Sequence, residues 1–224
     1  MMRELLGTSI LVFKKDFKSE LRTRYVINAL VMFVLVSISI IRFSLGDEKI
    51  DNEILTGLLW VVIFFTSASG LSRTFVKEEE KETSSALKLS MNYHGVFIGK
   101  AVFNFMLSFS LNILILILFV AVTDYRILNI GGFLLIMVLG NFGLVGASTV
   151  IAAIISKANS KATLYPVLSF PVLIPLLISV INASKLASLG VEVQHFGDDI
   201  IILLSYSVVV ITASLMLFKF IWED

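Results

Sequence analysis

Apolar residues run along this chain in long blocks separated by polar punctuation: Val26 to Leu45, Ile54 to about Val76, Ala101 to Val122, Ile127 to Ile155, Ala162 to Ala183 and Ile200 to Phe218. A helix needs roughly 20 apolar residues to cross a hydrocarbon core, so the pattern predicts six transmembrane helices. The fourth block is longer than one upright span requires and is expected to tilt, or to begin in the interface near Gly131 and Gly132. Residues 46 to 52 and 123 to 126 are left as tight turns. Residues 184 to 199 form a longer loop, in which the alternation at Val191 and Val193 is too short to make a strand.

Ahead of the first block, Leu6, Ile10, Phe13, Phe17 and Leu21 recur at helical spacing with Lys14, Lys18 and Arg22 beside them. That spacing predicts an amphipathic helix in the membrane interface, its apolar side in lipid or against the bundle and its cations near headgroups. No small-residue cleavage site follows the first apolar run, so a retained first span is expected. The chain thus divides into an interfacial elbow helix (1–25) and a six-span domain (26–224), which includes a polar segment at 77–96 and an external loop at 184–199. The fold class expected is an all-α polytopic membrane protein.

Composition agrees. With 57% hydrophobic residues in 224 and a mean hydropathy of +0.94, too little polar surface remains for a soluble globule of this size. The 18 basic and 17 acidic residues are segregated by position and form no basic field, so no nucleic-acid partner is expected. The absence of cysteine excludes thiol chemistry, disulfides and thiolate metal sites. If the N-terminus is inside, fourteen lysines and arginines fall on the inner side and only Arg42, Lys49, Arg126 and Lys185 on the outer, which places both termini and residues 77–96 in the cytoplasm.

The segment TFVKEEEKETSSALKLSMNYHGVFIGK interrupts the apolar pattern most sharply. Glu78, Glu79, Glu80 and Glu82 cluster at the start of an expected short helix and Lys88 sits near its end, the polarity a helix dipole favours. Leu87 and Met91 form an apolar i, i+4 pair. This arrangement is expected to act as a coupling helix docking into a cytoplasmic partner; the plainer reading is a solvated loop.

Candidate chemistry on the chain itself is sparse. Gly95-Val-Phe-Ile-Gly99-Lys100-Ala101 superficially suggests a phosphate-binding loop, but it is one residue short of G-x-x-x-x-G-K-[ST], lacks the hydroxyl and enters a span. His94 and His195 fall on opposite sides of the membrane, and no compact metal cluster is present. No catalytic, cofactor or metal site is therefore expected. Asn28, Asn104, Asn112, Asn141 and Tyr206 need partners inside the membrane and are read first as packing groups. Gly140, Gly143, Gly146 and Ala147 offer a small-residue surface on the fourth span. Pro166, Pro171 and Pro175 all lie in the fifth, which is expected to be kinked or locally broken and is the candidate gating helix.

The interfacial helix, six spans, FVKEEEKETSSALKL followed by IGK, FPVLIP in the fifth span and the C-terminal FKFIWED together resemble the CcmB-like family, permease subunits of the cytochrome c biogenesis ABC haem-exporter system. The family pattern places Gly-Thr/Ser-Leu-Glu after the acidic stretch and then a proline; this chain departs from it with Glu82, Thr83, Ser84 and Ser85, and with Ser90-Met91 near the proline position. The resemblance implies an ABC-2-like exporter permease in the bacterial inner membrane, with the external loop in the periplasm. It also implies a CcmA-like ATPase that binds ATP and Mg, a CcmC-like haem-handling protein, a small CcmD-like membrane protein and, indirectly, a CcmE-like haem chaperone. Six spans supply half of an exporter, so a homodimer of permeases is expected. Two alternatives remain at this point: a permease for a lipid, glycan or drug, and a membrane assembly factor that transports nothing.

Overall fold

The computed structural model describes residues 2–46, 50–80, 87, 91–157 and 161–223. Helix α1 (Met2–Thr23) precedes α2 (Tyr25–Leu45) and α3 (Asn52–Leu71), and a short α4 (Val76–Glu80) follows. Then come α5 (Tyr93–Thr123), α6 (Ile130–Ser156), α7 (Lys161–Ser188), a 3₁₀ turn (Val193–Phe196) and α8 (Gly197–Glu223). No strand occurs among the described residues, and six helices are long and apolar enough to cross a membrane. The chain is a multi-pass, all-α membrane protein.

Several boundaries differ from those expected of the sequence. The second span stops at Leu71 instead of running to about Val76, because Ser72 to Phe75 form a turn in which Thr74 donates its hydroxyl to the Leu71 carbonyl at 2.7 Å. The third span begins eight residues before Ala101, capped by Asn92, whose side chain accepts from the His94 amide. The fourth begins at Ile130, where Asn129 caps by accepting from the Gly132 amide at 2.9 Å. The loop expected over 184–199 shrinks, since α7 runs through Ser188 and Val193 lies in the 3₁₀ turn.

Helix α6 sits at the centre, touching α3, α4, α5, α7 and α8. Its glycines permit this by close approach: a Cβ on Gly140 would fall 2.8 Å from both Trp60 and Val180, and one on Gly143 would fall 2.6 Å from Leu176. Gly146 faces Ile211 of α8, and Ala147 is fully buried. The small-residue surface therefore serves packing within the chain. Trp60 fills the space above Gly140 and donates its indole N–H to Ser184 at 3.0 Å, which satisfies the one polar group that a buried tryptophan carries.

Helix α7 is continuous through Pro166, Pro171 and Pro175. All three prolines are exposed, as are Val167, Phe170 and Ile178 on the same side, while Ser169, Leu173, Leu176 and Val180 are buried against the bundle. Val167 and Pro171, whose carbonyls lose their partners at Pro171 and Pro175, are both exposed residues. At the end of the bundle away from the N-terminus, Lys185 pairs with Glu53 at 2.7 Å, Asn52 donates to the Arg126 carbonyl at 3.0 Å, and the Tyr125 and Thr56 hydroxyls meet at 2.7 Å. This end is tied across α3, α7 and the α5–α6 turn.

Candidate coupling site

The N-terminal end of the bundle is built differently, around a docked elbow. Helix α1 lies on the first turns of α5, and two glycines set the distance: a Cβ on Gly95 would sit 2.6 Å from Thr8 Cβ, and one on Gly99 would sit 2.6 Å from the Ser9 carbonyl oxygen. The stretch that superficially suggests a phosphate loop is thus a small-xxx-small surface for another helix. Ser9 and Val12 are buried there, whereas Leu6, Ile10 and Leu21 of the expected apolar stripe remain exposed. Phe13 and Phe17 of the same stripe are half-buried, Phe13 edge-on to Phe103 of α5 at 6.4 Å between ring centres, so the stripe runs from the outward side of α1 into its contact with α5.

That contact brings ionic groups together. Lys100, one residue after Gly99, has a side chain only 1% exposed. Its ammonium donates to both carboxylate oxygens of Glu78 at 2.7 Å, to Asp16 at 3.2 Å and to the Thr74 carbonyl at 2.9 Å. It also lies 4.9 Å from the centroid of the Phe75 ring, within cation–π range. Lys15 completes the group, 2.6 Å from Glu78 and 3.3 Å from Asp16. Burial pulls the Lys15 ammonium down, but Asp16 and Glu78 together outweigh it and hold its pKa above the ordinary lysine value. Two cations and two carboxylates therefore join α1, the turn after α3, α4 and α5.

The acidic residues expected to meet a partner are placed unequally. Glu78 points into this cluster. Glu79 reaches Lys157 at the end of α6, 3.4 Å away. Glu80 ends α4, its side chain lying outside the described part, and Glu82 lies outside the described residues altogether. Leu87 is buried, with Phe75, Ala153, Phe218 and Trp222 around a cavity of about 20 Å³, and Met91 is half-buried against the same apolar cluster. Phe218 stands 5.4 Å from Phe75, 5.0 Å from Phe97 and 5.4 Å from Trp222, ring centre to ring centre. Phe218 and Trp222, from the C-terminal part of α8, thus close this end of the bundle.

A polar ladder descends from the cluster into the membrane. Lys100, Asn104, Ser108 and Asn112 follow one another at i+4 on α5, and all are buried. Asn104 donates to Thr149 of α6 at 2.9 Å and lies 3.1 Å from the Thr74 hydroxyl. Ser108 donates to Asn141 at 2.7 Å, Asn112 donates to the same oxygen at 3.1 Å, and Asn141 donates to the Phe105 carbonyl at 3.2 Å. Ser67 of α3 joins at Ser108, 3.2 Å away. Asn104, Asn112 and Asn141 are thereby helix-packing groups that together connect α3, α5 and α6 from the charged end inward, whereas Asn28 of α2 is exposed. Sequence reasoning named the asparagines singly and missed Lys100, Asp16, Gly95, Gly99 and Ser108; the i+4 spacing after a Gly-x-x-x-Gly-Lys start was the available signal.

The sequence model of the family described as CcmB protein matches residues 8–220, which takes in the docked part of α1, the cluster and the ladder. The chain belongs to the CcmB family. No curated protein matches it. As a CcmB-family chain it is an ABC-type, permease-like membrane subunit of cytochrome c biogenesis, and its family works with the Ccm system, including the CcmA ATPase and CcmC.

Proposed function

We propose that the chain transmits the motion of a cytoplasmic CcmA-like ATPase into the membrane, so that a haem-loaded CcmE-like chaperone is released from a CcmC-like partner. The observation that carries this reading is the continuity from the Lys100 cluster to Asn112: a charged joint at one end feeds a hydrogen-bonded rail between three spans. Such a rail has discrete arrangements, because a buried polar group in hydrocarbon must exchange one partner for another and cannot slide freely. Asn112 Oδ1 is buried without a hydrogen-bond partner among the described residues, an acceptor that a second arrangement of the helices can satisfy.

In this reading the permease subunit is non-catalytic, with ATP and Mg held by the ATPase and haem handled as cargo by the complex. The donor set favours transmission over haem ligation. The chain has no cysteine. His94 opens α5 at the N-terminal end, and His195 lies in the 3₁₀ turn at the other, so the two histidines cannot converge on one iron. The chain sits in the bacterial inner membrane with both termini cytoplasmic, pairs with a second copy and meets a small CcmD-like protein.

Substituting Asn104 and Asn141 with leucine in the assembled complex tests the reading. The expected result is normal co-purification of the ATPase and ATP hydrolysis with loss of chaperone release. Full release from a complex carrying both substitutions would remove the rail from the mechanism.

A further inference from the structure

Between α1, α2 and α5 a lateral groove of about 270 Å³ opens beneath the elbow, walled by Phe17, Ile27, Val31, Met106, Leu111 and Leu114. A smaller notch of about 50 Å³ lies at its top, bordered by Asp16, Glu20, Arg73, Thr74, Glu78 and Asn104. Glu20, Phe103 and Leu107 line both, so notch and groove adjoin. One is polar and sits at the charged end of the bundle; the other is almost wholly apolar and runs toward mid-membrane.

We propose that notch and groove together form a binding site for one phospholipid with an amine-bearing zwitterionic headgroup, phosphatidylethanolamine in chemistry, with an acyl chain in the groove and the headgroup in the notch. Three features support it. From Phe103 to Leu114 the groove follows α5 for about 16 Å, close to the roughly 15 Å that one leaflet contributes to the hydrocarbon core. A polypeptide helix about 10 Å across would need several times the available volume over that length, whereas a single acyl chain is slender enough. The walls are also balanced in charge: Asp16, Glu20 and Glu78 are matched by Arg73 together with Lys15 and Lys100, which pair with Asp16 and Glu78. A net anionic headgroup gains nothing from such a wall. A phosphate with an attached ammonium complements it, the phosphate toward Arg73 and the ammonium toward the carboxylates. Arg73 is exposed and makes no ion pair among the described residues, so its charge is available at the notch.

The experiment uses the full chain reconstituted in nanodiscs of equal phosphatidylethanolamine and phosphatidylglycerol, with retained lipid identified by native mass spectrometry after release. The unaltered chain should keep one phosphatidylethanolamine in preference to phosphatidylglycerol. Arg73→Gln, a change at an exposed side chain, should lower the amount of phosphatidylethanolamine retained about ten-fold, the loss of one charge-assisted contact to the phosphate. Leu107→Trp fills the junction of notch and groove and should abolish retention while thermal unfolding stays near that of the unaltered chain. Equal retention of both lipids, a preference for phosphatidylglycerol, or an Arg73→Gln chain that retains as much phosphatidylethanolamine as the unaltered one would each overturn the proposal. So would a folded Leu107→Trp chain that still carries the lipid.

Discussion

Replacing Lys100 with methionine keeps the reach of the side chain and removes its charge. The cation it removes has a side chain 1% exposed and is in contact with carboxylates 12% and 13% exposed. Breaking a buried ion pair from one side costs about 3–5 kcal/mol. Here the cost falls somewhat below that range, because Lys15 remains 2.6 Å from Glu78 and water reaches both acids partially. About 2–3 kcal/mol is expected. Glu78→Gln should cost a similar amount, since it leaves Lys100 with Asp16 at 3.2 Å and one carbonyl. The double substitution Lys100→Met with Glu78→Gln removes both desolvated charges and should cost clearly less than the two single changes together, with a coupling of at least about 1 kcal/mol. Denaturation in mild detergent followed by the fluorescence of Trp222, which lies near the joint, measures all three. Strict additivity, or single substitutions below about 0.5 kcal/mol, would mean that the cluster does not hold the elbow and that another contact does.

Other outcomes follow from the same geometry. Gly99→Leu drives a side chain into the Ser9 carbonyl and Val12, so α1 should leave α5 and become protease-sensitive, while Gly57→Leu, where nothing lies within 4 Å, should leave α1 protected. Asn141→Leu deletes three hydrogen bonds at the hub of the ladder, and at about 0.6 kcal/mol per bond in a membrane it should lower stability by roughly 2 kcal/mol. For orientation, single cysteines at exposed Asn92 and Leu128 should label from the inside and the outside of intact cells respectively; the reverse pattern would invert the chain. Lys15 has its pKa raised in the fold, so its tie to Glu78 is complete below the ordinary lysine range and is lost only as pH rises through the higher folded value. Protection of α1 from proteolysis should accordingly be constant from pH 6 to about 9.

How far the fold was legible depended on the range of the signal. Six spans and the amphipathic elbow are local patterns, written in consecutive residues, and the structure places helices at each. Span ends were less legible because they depend on caps such as Asn129 and on the turn at Thr74, whose partners are set by three-dimensional position. Lys100 is the sharpest case. In sequence it is one more lysine at the entry to a span, and its burial requires Asp16, 84 residues away, and Glu78, 22 residues away, to arrive together. Leu87 shows the same limit: an apolar residue in a charged segment gives no sign that Phe75 of the turn after α3 and Phe218 and Trp222 of α8 line one small cavity with it. The glycines on α6 announced close approach, but nothing near them in sequence names Trp60 or Leu176 as what approaches.

The joint between α1 and α2 is a single residue, Arg24, held at φ 49° and ψ −2°, a left-handed conformation that costs a non-glycine residue about 1 kcal/mol. That cost is offset only when α1 is seated on Gly95, Gly99 and Lys100. During synthesis the N-terminal helix emerges first and its seat is translated 84 residues later, about 4 to 17 s at ordinary elongation rates. For that interval the nascent helix has no seat beyond its slight contact with α2. Its exposed Leu6, Ile10 and Leu21 are suited to hold it at the lipid surface until the third span inserts beside it. The residues that make poor packing partners in the finished bundle are then a waiting place for a helix made before its own binding site.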